Sequence, residues 1–372
     1  MKLLVVCTTD SMIWNFLIPH VRHWQNQGHS VDLACSRTGF YFEKLQAMGF
    51  SMREVPFVRN PFNKRNVTAY RRLKQIIAQG RYDCVISQEP VGGALGRMAG
   101  RAIGVKNIYT AHGFHFFKGA PLKNWLLFYP VEKYLARYTD ALITINSEDY
   151  EIARRFRAAR TEKIDGIGVD LSKFKRRTMQ DRKAAREALG IGDDCFAVVT
   201  VAELIPRKNY ATALKALARC HTGNFVYLVC GDGAQEKELP LEADALGIGD
   251  RVRFLGFRRD VDRIYRVADV FLFPSYQEGL SIALIEAMAT GVPILCSDIR
   301  GNRDLIADKR GGLLYSPTDV DGFAEGLDYI AANDTSAFVE YNCNEVKKYS
   351  VERSVEAFYA IIEDVCGRPE NE

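Results

Sequence analysis

Two glutamates stand eight residues apart in the stretch PSYQEGLSIALIEAMATGVPIL, residues 274–295. Glu278 precedes Gly279 in a turn, whereas Glu286 lies inside a helix that is predicted to begin near Ser281, a favoured N-cap residue. Carboxylates accept hydrogen bonds from hydroxyl groups, and the first N–H groups of a helix bind anions. The segment therefore predicts a site for a ligand that carries both hydroxyl groups and phosphate.

Each part of this segment has its own predicted task. Gly279 lets the backbone approach the ligand closely, and the N–H groups from Leu280 onward form the anion site. Glu286 has apolar neighbours, so its carboxylate needs hydrogen-bond donors, and the 2′- and 3′-hydroxyl groups of a ribose are suitable. From these residues alone, a capping charge followed by a solvated helix glutamate remains the alternative.

Two further strand ends carry candidate residues in the second half of the chain. Arg207 and Lys208 follow the strand in VVTVAELIPRKNY and could neutralise a diphosphate, although such a pair in a loop is often plain surface charge. Gly231 in LVCGDGAQ matches only the start of GxGxxG, because Glu236 takes the place of the third glycine. We expect Gly231 to permit close approach of part of a nucleotide.

His112 ends a strand in the first half, IYTAHG, and is expected to face the ligand from the other side. A lone histidine is more often a structural group. An aromatic-rich loop is predicted after it, whose side chains either form core or touch lipid at a membrane surface. The members of this run are Phe114, Phe116, Phe117, Trp125, Leu126 and Phe128, interleaved with Lys118 and Lys123.

The elements that position these residues alternate between short apolar strands and helices. KLLVVCTT, SVDLACS and YDCVISQ are strands of the first half, and CFAVVTVAEL, FVYLVCGDG and VFLFPS are strands of the second. Continuous apolar strands that alternate with helices indicate parallel sheets covered on both faces. The sequence predicts an α/β protein with two Rossmann-like domains, 1–172 and 173–348, and a final helical segment, 349–372, that crosses back to the first.

Composition narrows the class of protein. The 372 residues are 47% hydrophobic and 26% charged, with no signal-peptide pattern and no window near the roughly 18 apolar residues of a membrane span. Nine cysteines without a CxxC pair indicate reduced thiols. These features predict a cytoplasmic protein. Asp-Val-Asp occurs at 260–262 and 319–321, but both copies open helical segments, so we expect no metal.

Charge is distributed unevenly along the chain. Residues 1–170 carry 24 basic against 14 acidic side chains, and residues 171–372 carry 26 against 32. The basic clusters VRNPFNKRN, AYRRLKQ and ARRFRAAR favour an anionic partner such as lipid headgroups or a phosphorylated acceptor, and a solvated helix face is the alternative for any one of them. Nucleic acid is not expected, because no zinc-finger spacing or RNP-type aromatic pattern accompanies the charge.

The motifs together resemble glycosyltransferase family 4, the retaining enzymes with the GT-B fold. From about residue 197 to 306, the strings VAELIPRKN, VCGDG, RVRFLGFRRDVDRIYRVADVFLFPS, EGLSIALIEAMATGVPIL and RGNRDLI follow in the family's order. The resemblance implies two Rossmann-like domains that face each other across a cleft. It implies a nucleotide-sugar donor bound mainly by the second domain, an acceptor bound by the first, and neither a metal nor a cofactor.

The resemblance also implies roles for particular residues. Lys208 would bind the diphosphate, Glu286 the ribose, and Glu278 the donor sugar. His112 would contact the sugar near the reacting carbon. The remaining positions that the resemblance assigns to the donor are Gly279, Leu280 and Ser281 for its hydroxyls or phosphate, and Phe257 and Arg258 beside its base.

Two departures from the family pattern concern the ends of strands. Ala202-Glu203 replaces the usual Gly-Arg, so an acid stands in place of one diphosphate cation, and we expect Arg207 to compensate. The first strand-helix turn has TTDSM instead of a glycine pair, and we expect Asp10 or Ser11 there to bind an acceptor hydroxyl.

TAHGFHFFKGAP and ELIPRKN are similar to the bacterial branch that builds capsular or exopolysaccharide units on lipid diphosphates. This resemblance implies a hexosyl- or N-acetylhexosaminyltransferase that uses a UDP-sugar and an oligosaccharide or lipid-linked acceptor. The enzyme would be cytoplasmic and peripheral on the inner face of the cell membrane. The alternatives are a sugar-nucleotide epimerase of the same architecture and a non-catalytic sugar-nucleotide-binding partner of another transferase.

Overall fold

The computed structural model describes residues 1–367 and divides the chain into two compact units. The first unit comprises Met1–Gly168 together with the described part of Val351–Glu372, and the second comprises Val169–Ser350. The end of the predicted segment 349–372 lies outside the described residues.

The first unit is built on a seven-stranded parallel sheet of order β3-β2-β1-β4-β5-β6-β7. Its strands are β1 (Lys2–Thr9), β2 (Ser30–Ser36), β3 (Ser51–Glu54), β4 (Cys84–Gln88), β5 (Lys106–Ala111), β6 (Ala141–Thr144) and β7 (Arg160–Lys163). Its α-helices are Asp10–Met12, continued through a π-helical turn at Ile13–Leu17 into Ile18–Asn26, then Phe42–Ala47, Arg65–Gly80, Pro90–Ile103, Leu122–Leu135, Ser147–Ala153 and Val351–Cys366.

The second unit is built on a six-stranded parallel sheet of order β10-β9-β8-β11-β12-β13. Its strands are β8 (Phe196–Val201), β9 (Phe225–Cys230), β10 (Val252–Phe254), β11 (Val270–Phe273), β12 (Ile294–Ser297) and β13 (Gly312–Tyr315). Its α-helices are Met179–Ala188, Tyr210–Arg219, Glu238–Ala245, Val261–Val267, Ile282–Thr290, Asn302–Leu305, Val320–Ala332 and Ser336–Glu345.

Both sheets confirm the predicted α/β class, with two Rossmann-like domains. The central strands are mostly apolar because helices cover both faces, and β4, β9, β11 and β12 are buried along their whole length. In each sheet the strand order reverses beside the first strand, between β1 and β4 and between β8 and β11. Ligands of open α/β sheets bind beyond the carboxyl ends of the strands at such a reversal.

The last described helix belongs to the first unit, as predicted. Phe358 packs against His20 and Trp24, with ring centroids 5.8 Å and 5.6 Å away. Ser354 Oγ also donates a 2.7 Å hydrogen bond to Gly166 O. The chain therefore returns to its first domain after completing the second.

One local expectation was wrong. The predicted aromatic-rich loop includes the helix Leu122–Leu135. The aromatic run is divided between core and surface, because Phe114 and Phe116 are buried whereas Leu126 is 71% exposed. No helix within residues 1–367 has the length and apolarity needed to cross a bilayer.

Candidate active site

An ion-paired cluster lies beyond the carboxyl ends of β8 and β11, where the second sheet reverses its order. Lys208 Nζ lies 2.7 Å from Glu278 Oε1, and Arg207 Nη1 lies 3.3 Å from Glu278 Oε2. Arg207 Nη1 also donates a 2.6 Å hydrogen bond to the carbonyl oxygen of Gln277. The structure thus brings together the two cations and the carboxylate that the sequence placed in one site.

Local backbone geometry holds this cluster in place. The 3₁₀ turn Pro206–Lys208 ends at Asn209, whose φ of 58° is left-handed, a conformation that asparagine tolerates. Asn209 Nδ2 donates 2.8 Å hydrogen bonds to Pro274 O and Pro317 O. The loop after β8 is therefore tied to the loops that follow β11 and β13.

The cluster keeps a net positive charge. The Glu278 and Lys208 side chains are only 8% and 12% exposed, and a carboxylate so buried requires the partners it has. Lys208 uses one of its three N–H donors on Glu278, and Arg207 Nε and Nη2 have no hydrogen-bond partner among residues 1–367. Donors and charge are thus available for an anion.

The turn after Glu278 leads into the predicted helix. Ser281 is the N-cap of Ile282–Thr290, with its hydroxyl accepting from Leu284 N at 3.4 Å, which confirms the predicted start. Within the described chain, the backbone N–H groups of Gly279, Leu280 and Ser281 have no hydrogen-bond acceptor. They lie on the same loop as Glu278, so the turn adds free donors to the cluster.

Glu286 lies one turn inside this helix and is partly buried. Its Oε2 is 3.0 Å from the hydroxyl of Tyr265, a side chain with no exposed surface. Burial raises the pKa of Glu286 to about 7, against the lowering effects of the Tyr265 hydrogen bond and the positive charge of Lys173. This carboxyl group holds a proton more readily than an exposed one, so hydroxyl donors would stabilise its charged form.

Of the other three residues predicted to bind the donor, Gly231 and Arg258 have close contacts within the protein, and Phe257 is exposed. Gly231 has φ 151°, and a Cβ atom there would lie 1.9 Å from Ala202 O, so the chain's own backbone requires the glycine. Phe257 is 62% exposed. Arg258 binds both carboxylate oxygens of Asp260, at 2.8 Å and 2.7 Å. The guanidinium of Arg258 is thus engaged within its own loop.

In the first unit, His112 follows β5 and pairs with the last residue of β4. Its Nε2 lies 2.7 Å from Gln88 Oε1. Because an amide oxygen can only accept a hydrogen bond, the ring proton resides on Nε2, and Nδ1 is an acceptor. Burial, aided by His20, lowers the pKa of His112 to about 4. The imidazole is therefore neutral at pH 7.

Asp10 and Ser11, the predicted acceptor-binding residues, differ in their surroundings. Asp10 has no exposed surface, and its carboxylate accepts hydrogen bonds from Thr38 Oγ1 and from the backbone N–H groups of Tyr41 and Phe42, the last two at 3.2 Å and 3.0 Å. It thereby fixes the start of the helix Phe42–Ala47. Ser11 Oγ is partly exposed and lies 2.9 Å from Thr9 Oγ1.

Sequence reasoning missed one candidate residue, Glu89, which joins β4 to the helix Pro90–Ile103 with a positive φ of 62°. It lines a cavity of about 300 Å³ at the carboxyl ends of β1 and β4, the reversal point of the first sheet. The available signal was the string SQEP, a glutamate between a strand and a helix-starting proline.

The Asp-Val-Asp segments have structural partners. Asp319 caps the helix Val320–Ala332 by accepting from Gly322 N at 2.9 Å, and Asp321 pairs with Arg219 at 2.6 Å. Across the described residues, no group of three or more His, Cys, Asp or Glu side chains could hold a metal ion.

Sequence comparisons agree with this architecture. The family model described as Glycosyl transferase 4-like domain matches residues 20–168, and the one described as Glycosyl transferases group 1 matches residues 181–364. EpsD of Bacillus subtilis (strain 168), provisionally named a glycosyltransferase, is 37% identical over 88% of this chain and 87% of its own length. The UDP-Gal:alpha-D-GlcNAc-diphosphoundecaprenol alpha-1,3-galactosyltransferase of Escherichia coli is 28% identical over 86% and 84%.

Solved structures give the same fold. HepE of Anabaena, crystallised with UDP, has a TM-score of 0.83 at 19% identity and covers 98% of this chain and 100% of its own. WaaG, a glycosyltransferase involved in lipopolysaccharide biosynthesis, has a TM-score of 0.74 at 18% identity over 97% and 99%. The two parallel-sheet domains thus define a GT-B protein. The chain belongs to the group 1, family 4-like glycosyltransferases, and its function is glycosyl transfer.

Proposed function

We propose that this glycosyltransferase moves a sugar from a UDP-sugar to a lipid-diphosphate-linked glycan, with retention of anomeric configuration, in polysaccharide biosynthesis. The observation that carries the proposal is the cluster of Arg207, Lys208 and Glu278, which keeps a net positive charge at the reversal point of the second sheet. A diphosphate is the ligand that this charge and position favour.

The donor would lie along this edge of the sheet. Lys208, Arg207 and the free N–H groups of the 279–281 turn would bind its diphosphate, since each retains at least one donor without a partner and they lie on neighbouring loops. Glu278 would accept hydrogen bonds from sugar hydroxyls, and Glu286 from the ribose. UDP as the carrier is supported by the printed name of the E. coli relative and by the UDP complexes of HepE.

Retention requires the acceptor hydroxyl to attack the face that the diphosphate leaves. The bond from the anomeric carbon to the diphosphate oxygen breaks, a bond to the acceptor oxygen forms, and the leaving diphosphate takes the hydroxyl proton. Lys208 and Arg207 would stabilise the charge that develops on the leaving group. A neutral His112 suits a role as hydrogen-bond partner of the sugar, because its low pKa keeps it uncharged at pH 7.

A relative and two surface features of the first domain support a lipid-linked acceptor and action at a membrane. The E. coli relative is named for a diphosphoundecaprenol-linked acceptor. In the first domain of this chain, Leu122 and Leu126 are 73% and 71% exposed on the helix Leu122–Leu135, and the exposed cations Lys64 and Arg65 stand at the start of the helix Arg65–Gly80. Apolar and cationic side chains suit the surface of an anionic membrane, so we place the enzyme at its cytoplasmic face.

A screen of nucleotide-sugars for hydrolysis and for transfer to membrane-extracted lipids tests the proposal, with UDP, GDP and NAD binding measured by calorimetry. We expect UDP binding and turnover of a UDP-sugar, both strongly reduced in Lys208→Ala. NAD binding without UDP binding would overturn the transferase mechanism. Binding of UDP-sugars with no turnover under any condition would instead favour the non-catalytic partner.

A further inference from the structure

Glu89 occupies a backbone conformation that side chains rarely adopt. Its φ of 62° and ψ of 161° lie in a region that is nearly exclusive to glycine, and it stands between the last residue of β4 and the helix Pro90–Ile103. Such conformations persist where the surrounding structure enforces them, and they concentrate at binding sites. The backbone strain at Glu89 therefore indicates a binding role, and the hydrogen bonds of its carboxylate limit which ligand groups it could bind.

The carboxylate of Glu89 is half satisfied. Its Oε2 accepts a 2.9 Å hydrogen bond from Thr8 N, at the end of β1. Its Oε1 accepts no hydrogen bond of ordinary geometry among residues 1–367, although the Thr9 N–H and the Thr8 hydroxyl group lie near the carboxylate. Glu89 does not cap the helix that follows it, since its side chain accepts no N–H from that helix. A capping role therefore does not explain the glutamate.

The Glu89 side chain lines a cavity of about 300 Å³, which is large enough for part of a small-molecule ligand. The cavity has a polar wall and an apolar wall. Glu89, Thr8 and Arg59 supply polar groups, whereas Val91, Leu95, Phe128 and Val131 are among its apolar residues. Burial raises the pKa of Glu89, whereas the hydrogen bond from Thr8 N, the positive charge of Arg59 and the neighbouring Thr9 N–H and Thr8 hydroxyl group lower it. A hydroxyl donor would satisfy the partly desolvated carboxylate.

One residue of the cavity wall, Glu89, is joined through the chain to the residue that the proposed mechanism places at the sugar. Glu89 follows Gln88 directly, and Gln88 Oε1 lies 2.7 Å from His112 Nε2. Glu89 therefore continues the strand end whose last side chain holds the imidazole expected to contact the donor sugar. That continuity selects the acceptor of the reaction as the occupant.

We propose that Glu89 binds a hydroxyl group of the acceptor glycan through its free carboxylate oxygen, and that Arg59 binds the acceptor phosphate. This inference rests on the proposed function and names the acceptor subsite. The apolar wall would receive the carbon face of the sugar or the start of the lipid. Asp10, which has no exposed surface, would then support the fold instead of binding the acceptor.

Three variants test the assignment. Glu89→Gln keeps the shape of the side chain and removes its charge, and Glu89→Gly removes the carboxylate while suiting the positive φ. Glu54→Gln is the matched control, because Glu54 is an exposed glutamate at the end of β3 in the same sheet. Each is assayed for UDP binding, for thermal melting, and for transfer to N-acetylglucosaminyl diphosphate bearing an alkyl chain or, if wild type ignores that probe, to membrane-extracted lipids.

We expect both Glu89 variants to bind UDP as wild type does and to lose roughly 10- to 100-fold in kcat/KM for the acceptor, the loss expected for a hydrogen bond to a charged group. Glu89→Gly relieves the strained φ but leaves Thr8 N without its acceptor, so these opposing effects should keep its melting temperature close to that of wild type. A purely structural glutamate would instead lower the melting temperature and leave acceptor kinetics intact, and that result would overturn the inference. Absence of any transfer by wild type would refute the proposed function itself.

Discussion

Lys208 Nζ lies 2.7 Å from Glu278 Oε1, although the two residues belong to loops that follow different strands of the second sheet. Both side chains are largely buried, so neither charge is stable without the other. Arg207 adds a second, more exposed cation to the same carboxylate. The carboxylate therefore holds a pair of cations where a diphosphate would need them, in addition to any contact it makes with sugar.

Because Lys208 and Glu278 act as a unit, the effects of substituting them on kcat should not be additive. We expect Lys208→Ala and Glu278→Ala each to lower kcat by roughly 10²- to 10³-fold, and the double variant to lose little more than either one. Steady-state kinetics of all three with one UDP-sugar checks this. Arg219→Ala, which breaks an exposed ion pair with Asp321 in the same domain, should leave kcat unchanged. Full additivity would show that the pair does not act together.

The Asp10 carboxylate should matter for stability more than for substrate. Asp10→Ala leaves the hydroxyl of Thr38 and the N–H groups of Tyr41 and Phe42 without their acceptor, so we expect about 3 kcal/mol less free energy of unfolding. Ser11 is the neighbouring residue and is partly exposed, so Ser11→Ala should change the free energy of unfolding by less than about 0.5 kcal/mol. Denaturant titration measures both. A folded Asp10→Ala protein of unchanged stability, with a raised KM for the acceptor, would restore the acceptor-binding assignment.

The sequence predicted most of what periodicity and capping determine. The helix of the second-sheet site begins after Ser281 as expected, because an N-cap hydroxyl group is a local signal. Glu89 was missed because its importance depends on a backbone angle and on Thr8, about eighty positions away, which no local pattern records. The edge strands β3 and β7 were missed for a related reason: SMRE and RTEK are polar, and only their neighbours in the sheet make them strands.

Glu286 should make stability depend on pH. Its folded pKa, about 7, exceeds the ordinary value of 4.5, so the folded state holds a proton that the unfolded state has lost between these values. Stability contributed by this group is therefore present below pH 4.5 and declines as pH rises to about 7. Glu286→Gln should flatten that part of the profile of melting temperature against pH. Superimposable profiles for wild type and variant would contradict the raised pKa of Glu286 in the folded state.

Gly231 should be required by packing, whatever it contributes to nucleotide binding. In Gly231→Ala the new Cβ would lie 1.9 Å from Ala202 O at a φ of 151°, so we expect a loss of about 3 kcal/mol or more in stability. Gly223→Ala is the control, because a Cβ there meets nothing within 4 Å, and its effect should be within about 1 kcal/mol. Thermal melting compares the two. Equal melting temperatures would mean that the loop moves aside freely.

Membrane binding should depend on the exposed leucines of the first domain. Leu122→Ser with Leu126→Ser should weaken binding to vesicles that contain anionic lipid, because both side chains are more than 70% exposed on one helix. Neutralising Arg59, Lys64 and Arg65 should weaken it as well and reduce its sensitivity to salt. Leu241→Ser is the matched control, since Leu241 is 69% exposed on a helix of the second domain and should not affect cosedimentation. Equal binding to neutral and anionic vesicles would exclude the electrostatic part, and an effect of Leu241→Ser equal to that of the paired leucines would exclude a specific membrane face.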